Sequence, residues 1–571
     1  MRRLITDDQS KCVGCNRCIR ACPIEGANRV SMEDGRIGVS VNYERCIACA
    51  SCIYTCRHGV RDYEDDTERF LHDLRNGASI SLFAAPANRV YGGDAGRLLT
   101  WLRQQGVQKI YDVSLGADIC TWAHIRLIQK KKPKTVITQP CPAIVSYILR
   151  FEHGLIKYLS PVHSPMLCTA IYMRKYEGIS DKIAALSPCI SKAHEFESTG
   201  QVEYNVTLKH LMRYVQENNI ELPRATSGFD HAESAFGRLF SMPGGLKENI
   251  EFYFGKRLRI DQAEGQGSVY HELSALAGES EDCYPAIFDV LNCAEGCNIG
   301  TGIDHSMNRF KTSAIMDQNR QAVLDAYDFE GYERLLEEYD RSLRLGDFLR
   351  QYTPVAVAQT TVTATDIDKG FASLGKETEL QRTFDCGACG CDTCDEMARV
   401  IAKGFNIPEN CVQKLRDEIT SEQTIIMDIA ASNLRSMDHL TRDVSDIMSK
   451  SGDIAGLVSI LHEAVLRYHH ISSDVLAIAM HTNIISLNAS IEAARAGVHG
   501  KAFAVVAEEI RGLANKSRKT VSESEDISVQ AINSITSIKE MVESIVTDIG
   551  KAHNSISVVY ESIGKINTTG Q

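Results

Sequence analysis

The sequence lacks long hydrophobic runs and an excess of basic residues. No stretch of its 571 residues is apolar over the roughly 18 positions that a membrane span requires. The net charge is −12, which disfavours nucleic acid and anionic membranes as partners. The start, MRRLITDDQSKC, has no apolar core that would mark a secretory signal. We therefore expect a cytoplasmic protein without a membrane span.

Cysteine and proline are missing from residues 416–571. Apolar residues recur there in steps of three and four, from Leu440 to Ala489 and again from Ala531 to Ile566, a spacing typical of coiled coils. Gly497 and Gly500 permit a tight reversal between the two arms. We predict a long antiparallel α-helical hairpin, although a plain dimerisation stalk would show the same heptads.

Elsewhere the chain is rich in cysteine, with 20 in total. In a large chain without a secretory signal, short cysteine clusters indicate metal binding or catalysis rather than disulfides. Composition divides the chain into five segments, which are a cysteine-rich region 1–66, a mixed α/β region 67–350, a linker 351–366, a second cysteine-rich region 367–415 and the helical region 416–571.

A duplicated motif lies in the first segment. Residues 12–22 and 46–56 each follow the pattern C-x₂-C-x₂-C-x₃-C of bacterial ferredoxins, in which the fourth Cys binds the other cluster. Thiolates are soft ligands suited to iron–sulfur clusters, and a pair of zinc sites is the alternative. The predicted [4Fe-4S] ligand sets are Cys12, Cys15, Cys18 and Cys56, and Cys46, Cys49, Cys52 and Cys22.

Three further cysteine loops lie in the second segment. They are centred on Cys141 in TQPCP, Cys189 in SPCISKAHE, and the pair Cys293 and Cys297 in NCAEGCNIGTG. Four thiolates from three distant loops can bind one cubane cluster, and the glycines of the third loop allow close backbone approach. Lys192 would add a cation beside an anionic site.

These loops resemble the signature loops of the [FeFe]-hydrogenases, and the resemblance covers roughly residues 1–350. It implies a two-lobed fold and an H-cluster, a [4Fe-4S] cubane joined by a cysteine to a diiron unit that carries CO, CN and a dithiolate. By motif, Cys297 would be the bridging ligand. Lys192 would donate a hydrogen bond to a cyanide, and Ala85 and Pro86 match the family's backbone contact with the diiron unit.

The same comparison shows departures from the efficient enzymes. Pro140 stands where they have the cysteine that donates protons to the diiron unit, and Ser187 and Leu291 replace two methionines. Their proton-conducting glutamates follow Gly-Ala-Asp, whereas here residues 116–118 lead to Ile-Cys-Thr-Trp-Ala-His. General acid–base steps contribute ~10²–10⁴-fold, so we expect slow turnover. A substitute relay, or ordinary packing, would account for Cys120, Cys168, Glu195 and His124.

A third cysteine cluster precedes the helical region. Cys386, Cys389, Cys394 and Cys411 resemble the ligands of a small [4Fe-4S] domain found in redox proteins, with zinc as the alternative. The position between a redox region and a coiled coil favours iron. The cysteines without an assigned ligand role are Cys120, Cys168, Cys283 and Cys391.

Residues 481–517 resemble the cytoplasmic tip of methyl-accepting chemotaxis proteins. In that family, dimers pack as trimers through the tip, which binds the kinase CheA and the adaptor CheW. The resemblance implies tip contacts for Glu492 and Arg495, and an apolar partner face at Phe503, Val505 and Val506. We find no convincing pairs of Glu and Gln that would serve as methylation sites.

The predicted fold class is α/β, combining a two-cluster ferredoxin domain, a two-lobed H-cluster domain, a small [4Fe-4S] domain and a coiled-coil hairpin. The predicted function is a slow sensory [FeFe]-hydrogenase that detects H₂ or redox state and signals through the tip. Expected partners are H₂, protons, an electron carrier such as ferredoxin, a second copy of the chain, and a CheA/CheW-type pair. Two alternatives remain: a catalytic hydrogenase that the hairpin only localises or dimerises, and a redox sensor without the diiron unit.

Overall fold

The computed structural model describes residues 2–91, 93–138, 140–231, 236–306, 308–326 and 328–569. They form two compact units, Met1–Lys414 and Leu415–Gln571. Within the described ranges, no helix combines the length and the apolar character needed to cross a membrane.

The first unit opens with short elements around the duplicated cysteine motif. Strands β1 and β4 pair antiparallel, with Ile5 opposite Tyr63, and β2 and β3 form a hairpin. The elements are β1 Ile5–Asp7, α1 Arg17–Arg20, β2 Asn28–Glu33, β3 Arg36–Val41, α2 Ser51–Thr55 and β4 Arg61–Tyr63.

Strands and helices then alternate. In chain order they are α3 Thr67–Arg75, β5 Ile80–Ala84, α4 Gly93–Gln104, β6 Val107–Asp112, α5 Val113–Lys131, β7 Val136–Ile137, α6 Pro142–Phe151, α7 Pro165–Lys175, β8 Lys182–Ser187, α8 Lys192–Thr199, β9 Tyr204–Thr207, α9 Leu208–Glu217, α10 Gly245–Phe254, β10 Ile260–Glu264, α11 Val269–Gly278, β11 Ile287–Leu291, α12 Arg309–Ala326 and α13 Phe329–Ser342.

These strands form two parallel sheets, with the orders β6-β5-β8-β9 and β10-β11-β7. Strands β5 and β11 are buried along their whole length, and β8 is buried at every residue after Lys182, as expected for parallel strands that are covered on both faces. The apolar runs within residues 78–87 and 134–143, which read as buried strands in the sequence, contain β5 and β7. Two parallel sheets with covering helices confirm the α/β class.

The stretch 323–352, which reads as helix in the sequence, is helical in separate pieces. Helix α12 ends at Ala326 and α13 ends at Ser342, followed by a 3₁₀ turn at Leu345–Phe348. The side chain of Asp328 accepts a hydrogen bond from the backbone N–H of Gly331 and starts α13 as a separate helix. The unit closes with α14 Ala364–Ser373, α15 Glu379–Arg382 and α16 Cys394–Ala402.

Two long helices make up the second unit: α17 Val412–Arg495, which begins just ahead of it, and α18 Lys501–Thr569. They are joined by a 3₁₀ turn at Gly497–Gly500, where Gly497 has φ +64°. A Cβ on Gly500 would lie 2.1 Å from the carbonyl oxygen of Ala493, so this position requires glycine. The Tyr468 hydroxyl lies 2.6 Å from Oγ of Ser524 and links the two helices.

Burial within the hairpin follows only part of the predicted seam. Buried positions fall in multiples of seven residues and are mostly small, as at Ser472, Ala479, Ser486 and Ala493 on α17 and Ala507 and Ala514 on α18. By contrast, Ile478 and Ile485, which the heptad pattern assigns to the seam, are exposed. Small residues let the two helices approach closely, and part of the apolar pattern is left on the surface.

Candidate functional site: a chain of cysteine clusters

The candidate site begins where the parallel strands end. Ala85 and Pro86 follow β5, Cys189 follows β8, Cys141 follows β7 and Cys293 follows β11. Ligands of open α/β sheets bind outside the carboxyl ends of the strands, where loops from several strands converge. The fold therefore explains how three loops far apart in sequence meet.

Two adjacent cavities lie at these ends, and each has about 450 Å³ of space, part of which is open to solvent. Cys141, Cys189, Cys293 and Cys297 all line one of them, while Ala85 and Pro86 line the other. Six residues line both cavities, namely Pro140, Met166, Pro188, Lys192, Leu291 and Cys297. The structure thus brings together all the residues predicted for the H-cluster.

The chemistry of the lining suits an iron–sulfur cluster beside a second group. Burial raises the pKa of Cys141 to about 11 and that of Cys297 to about 12. Such thiols stay protonated unless a bound metal stabilises the thiolates. Oγ of Ser241, buried in the wall of the Ala85 cavity, has no hydrogen-bond partner among the described residues, so a bound group can supply one.

Among the residues described, no three His, Cys, Asp or Glu side chains are grouped so as to hold a metal ion. The ligands of a cubane each bind a different iron, and the irons keep the thiolates apart. The four cysteines therefore line a cavity and do not converge on a single metal position.

Glycines of the third loop allow this convergence. A Cβ on Gly300 would lie 2.4 Å from the carbonyl oxygen of Pro188, and one on Gly296 would lie 2.5 Å from that of Ser241. A Cβ on Gly302 would likewise lie close to the backbone N of Cys189. The loop that carries Cys297 can pack against the Cys189 loop only because these side chains are absent.

Lys192 is buried at the start of α8 and lines both cavities. Its Nζ donates hydrogen bonds to Oε2 of Glu195 at 2.5 Å and to Oγ of Ser164 at 3.0 Å. An ammonium has three N–H donors, so one remains for a ligand of either cavity. The carboxylate of Glu195 lies 4.0 Å from Nη1 of Arg350 and keeps the buried charges paired.

Pro140 lies in the walls of both cavities and has neither an N–H nor a side-chain proton to donate. Leu291 contributes another apolar surface at the position where the efficient enzymes have methionine. Met166, from the start of α7, lines both cavities and was not predicted.

The duplicated motif forms two similar loops. Gly14 and Asn16 in the first loop have φ +65° and +59°, and Ala48 and Ala50 in the second have +53° and +65°. Left-handed residues at matching positions turn backbone N–H groups inward, as in anion-binding nests. Burial and the neighbouring thiols of Cys49 and Cys46 raise the pKa of Cys22, so Cys22 lies near the second loop, as its predicted ligand set requires.

Arg61 is a buried cation beside both ligand sets, and only 1% of its side chain is exposed. It donates hydrogen bonds to Oδ2 of Asp7 at 2.9 Å and to the carbonyl oxygen of Val39 at 2.6 Å. Its charge acts on the thiols of Cys52 and Cys18, which belong to different ligand sets.

Replacing Arg61 with Gln should lower the reduction potential of a [4Fe-4S] cluster in this region. A nearby cation stabilises the more negative, reduced cluster, and burial weakens the screening by water. Redox titration followed by electron paramagnetic resonance measures the shift. Arg57→Gln, next to Cys56 in a turn, is the comparison, and equal potentials in wild type and Arg61→Gln would contradict this role.

Hydrogen bonds join the second loop to the cysteine-lined cavity. The carbonyl oxygen of Cys49 accepts from Nε2 of Gln266 at 2.7 Å and from Nδ2 of Asn292 at 3.2 Å, and Asn292 precedes Cys293. The buried hydroxyl of Tyr270 donates to Oδ1 of Asn292 at 2.6 Å. The second predicted ferredoxin cluster and the cubane would therefore be neighbours.

The third cysteine set packs against the first loop. Cys389, Cys394 and Cys411 are buried and Cys386 is exposed. Asn16 and Asn410 are buried and exchange side-chain hydrogen bonds of 2.8 and 3.2 Å. Lys403 pairs with Glu25 at 2.6 Å, and a Cβ on Gly390 would lie 2.9 Å from Cβ of Ile19. Helix α17 begins at Val412, the residue after Cys411.

The predicted tip residues lie on either side of the hairpin turn. Glu492 and Arg495 are exposed near the end of α17, with 3.6 Å between Oε2 and Nη1. Phe503, Val505 and Val506, in the first turns of α18, are 75%, 70% and 55% exposed. These side chains form an apolar surface patch at the turn, of the kind that marks an interaction site.

Three family models match separate parts of the chain. The model "Iron only hydrogenase large subunit, C-terminal domain" matches residues 80–301, "4Fe-4S dicluster domain" matches 4–57 and "Methyl-accepting chemotaxis protein (MCP) signalling domain" matches 424–570. The predicted combination of a hydrogenase-type domain, a dicluster domain and a chemoreceptor-type signalling domain is therefore confirmed. It supports iron–sulfur cofactors and an H-cluster.

Known proteins resemble the two ends of this combination. A probable chemoreceptor of Sinorhizobium fredii is 29% identical over 35% of this chain and 23% of its own length. Methyl-accepting chemotaxis protein I of Escherichia coli is 30% identical over 23% of this chain and 21% of its own length. The chain thus spans less than a quarter of these relatives. A solved [FeFe]-hydrogenase variant from Chlamydomonas reinhardtii is 18% identical, with a TM-score of 0.39, over 51% of this chain and 99% of its own.

Sequence reasoning missed several residues that shape the site. Arg61 and Tyr270 belong to no motif, while Asn16 and Asn410 lie beside motif cysteines at positions that the motifs leave open. The roles of all four depend on contacts between segments far apart in sequence. Asn16 and Asn410 each lie next to a predicted ligand cysteine, which is the signal that could have singled them out.

Proposed function

We propose that the protein is a sensory [FeFe]-hydrogenase. It detects H₂ or redox state at an H-cluster, relays that state through [4Fe-4S] clusters and changes a chemoreceptor-like coiled coil, with slow oxidation of H₂ and reduction of protons. The supporting observation is a series of contacts between the cysteine sets. Asn292, beside the cavity, bonds to Cys49 of the second ferredoxin-type loop, and Asn16 of the first loop bonds to Asn410 of the third cysteine set. Helix α17 begins directly after that set.

In this proposal Cys141, Cys189, Cys293 and Cys297 would hold the cubane, and Cys297 would be the ligand shared with the diiron unit. The two ferredoxin-type clusters take the sets ending in Cys56 and Cys22, and the last [4Fe-4S] cluster takes Cys386, Cys389, Cys394 and Cys411. The H-cluster supplies reversible chemistry between H₂, protons and electrons. Lys192 would donate a charge-assisted hydrogen bond to a cyanide, and Ala85 and Pro86 form part of the cavity wall.

Pro140 favours the sensor over a fast enzyme. A proline in both cavity walls cannot deliver protons, and the adjoining wall residues Leu291 and Met166 do not titrate. Slow turnover suits a detector, because occupancy of the site can then follow the supply of H₂ or electrons. The alternative is a catalytic hydrogenase whose hairpin only localises or dimerises it.

The signalling half supports contacts with a CheA-type kinase and a CheW-type adaptor at Glu492, Arg495 and the patch at residues 503–506. The exposed Ile478 and Ile485 suit the coiled-coil face of a homodimer. A ferredoxin-like carrier would exchange electrons at the clusters near Cys15, which is exposed.

The test is to mature the full chain with the diiron cofactor, then record infrared spectra and measure hydrogen–deuterium exchange. We expect CO and CN bands together with slow exchange. Absence of the bands would refute the H-cluster and leave the redox sensor without the diiron unit. Exchange at the rate of a standard hydrogenase would favour the catalytic alternative.

Replacing Gly390 with Val should separate the third cluster from the ferredoxin-type clusters. A side chain there collides with Ile19, and Gly390 also has φ +92°, which disfavours other residues. We expect slower reduction of the third cluster, measured by rapid-freeze electron paramagnetic resonance. Gly404→Val is the matched control, because Gly404 has φ +73° but no atom near its Cβ position. Equal slowing in both variants would contradict a contact effect.

A further inference from the structure

The Ala85 cavity has a nearly apolar lining. Among the described residues that line it, only Lys192, Ser241 and Cys297 carry a side-chain N–H, O–H or S–H group, and the others are Ala, Pro, Val, Met, Phe and Leu. Cys297 is a proposed cluster ligand, and two of the three N–H groups of Lys192 are already bonded within the protein. The hydroxyl of Ser241 is therefore the one neutral donor of this described lining, and it has no role in the proposed function so far.

This hydroxyl is buried and unsatisfied. Ser241 is 4% exposed, and its Oγ has no hydrogen-bond partner among the described residues. A hydroxyl that leaves water without gaining a new hydrogen bond destabilises the fold. Ser241 belongs to a cavity wall, so a group bound in that cavity is the partner that the fold leaves for its hydroxyl.

The backbone of Ser241 is held in place beside the cavity. Ser241 lies in the turn that precedes α10, where the backbone N–H of Met242 donates to the carbonyl oxygen of Leu239 at 3.0 Å. Its own carbonyl oxygen accepts from the backbone N–H of Cys297 at 2.8 Å. Ser241 is thus joined to the thiol-bearing residue that lines both cavities, and rotation of its side chain is the movement left to the hydroxyl.

The group proposed for this cavity carries CO, CN and a dithiolate. A cyanide ligand is anionic, and its nitrogen accepts strong hydrogen bonds, whereas metal-bound CO is a weak acceptor. Lys192 would donate one charge-assisted bond to such a ligand. A hydroxyl would add a second directed bond without adding charge, and an apolar wall strengthens that bond because it keeps water away.

We propose that Ser241 is a further cofactor-binding residue, whose hydroxyl donates a hydrogen bond to a cyanide nitrogen of the diiron unit. The inference rests on the proposed H-cluster. Ser241 comes from the turn before α10, whereas Lys192 comes from the start of α8, so the two donors would hold the unit from separate elements of the fold. Ser241 would then fix the orientation of the unit, and the cysteines would fix its attachment.

The first test is infrared spectroscopy of the full chain loaded with the diiron unit. We expect at least one CN band to shift in Ser241→Ala, because a hydrogen bond to the nitrogen changes the stretching frequency of cyanide. Ser146→Ala is the matched control, since Oγ of Ser146 is also buried and without a described partner, but Ser146 lies on α6 and lines neither cavity. CN bands at their wild-type positions in Ser241→Ala, or equal shifts in both variants, would overturn the proposal.

Replacing H₂O with D₂O separates a hydrogen bond from a change in packing. The CN bands of wild type should respond to this replacement more than those of Ser241→Ala, because the variant lacks one exchangeable donor to the cyanide. An equal response in both proteins would overturn the proposal.

The second test is thermal unfolding with and without the diiron unit. In protein that carries only its iron–sulfur clusters, Ser241→Ala should melt at or above the wild-type temperature, because alanine removes a buried hydroxyl that has no described partner. Loading should then raise the melting temperature of wild type more than that of Ser241→Ala. A lower melting temperature in unloaded Ser241→Ala would show that the hydroxyl is already bonded within the protein and would overturn the proposal.

The infrared spectrum of wild type separates the two levels of the inference. Missing CO and CN bands in loaded wild type would refute the proposed function, and the role of Ser241 with it. Wild-type CO and CN bands that do not change in Ser241→Ala would refute the role of Ser241 alone.

Discussion

Replacing Cys297 with Ala is expected to remove the CO and CN infrared bands and all hydrogen–deuterium exchange. Cys297 is the one thiol among the six described residues that line both cavities, so it alone can bind in both. Its backbone N–H donates to the carbonyl oxygen of Ser241 at 2.8 Å, which fixes its place between the cavities. Alanine keeps this backbone bond and removes only the ligand.

Cys283→Ala is the control for this variant. Cys283 is exposed and its Sγ lies 3.6 Å from Oγ of Ser280, away from every predicted ligand set. The Cys283→Ala protein should keep both the CO and CN bands and the hydrogen–deuterium exchange. If Cys297→Ala retained the CO and CN bands at wild-type strength, the assignment of the bridging ligand would be wrong.

Replacing Phe503 with Ala is expected to weaken binding of a chemotaxis kinase and adaptor roughly 30-fold, which corresponds to ~2 kcal/mol for a lost aromatic anchor. Phe503 is 75% exposed beside Val505 and Val506, so its ring is available to a partner and contributes little to the fold. Sedimentation of the kinase and adaptor with the full chain measures the change.

Tyr560→Ala tests whether any exposed aromatic on the same helix would have this effect. Tyr560 is 45% exposed and lies far along α18 from the turn. Binding equal to wild type in Phe503→Ala, or equal losses in both variants, would refute a partner face at the tip.

Motifs local in sequence could be predicted well. The cysteine loops and the family resemblance that they carry implied which loops meet, and the structure brings those loops together. The two long helices and the turn at Gly497 follow from missing proline and regular heptads. Each motif on which these predictions depend is a short run of the chain.

Features that depend on distant contacts could not be predicted. Arg61, Tyr270 and Asn410 gain their roles only when the first and third cysteine regions and the strand ends pack together. The seam of the hairpin was misplaced near the turn, because apolar periodicity does not separate the residues that face the other arm from those left exposed, such as Ile485. The break between α12 and α13 depends on one capping contact by Asp328.

The central claim is that the state of the hydrogen site reaches the tip through the third cluster. The most direct measurement is the autophosphorylation rate of a kinase bound to the loaded full chain, under H₂ and under argon, in wild type and in Cys386→Ala. We predict that the rate differs between the gases in wild type and not in Cys386→Ala, while both proteins keep the CO and CN bands and hydrogen–deuterium exchange. A Cys386→Ala protein that keeps its hydrogen chemistry and still switches the kinase as wild type does would contradict the claim.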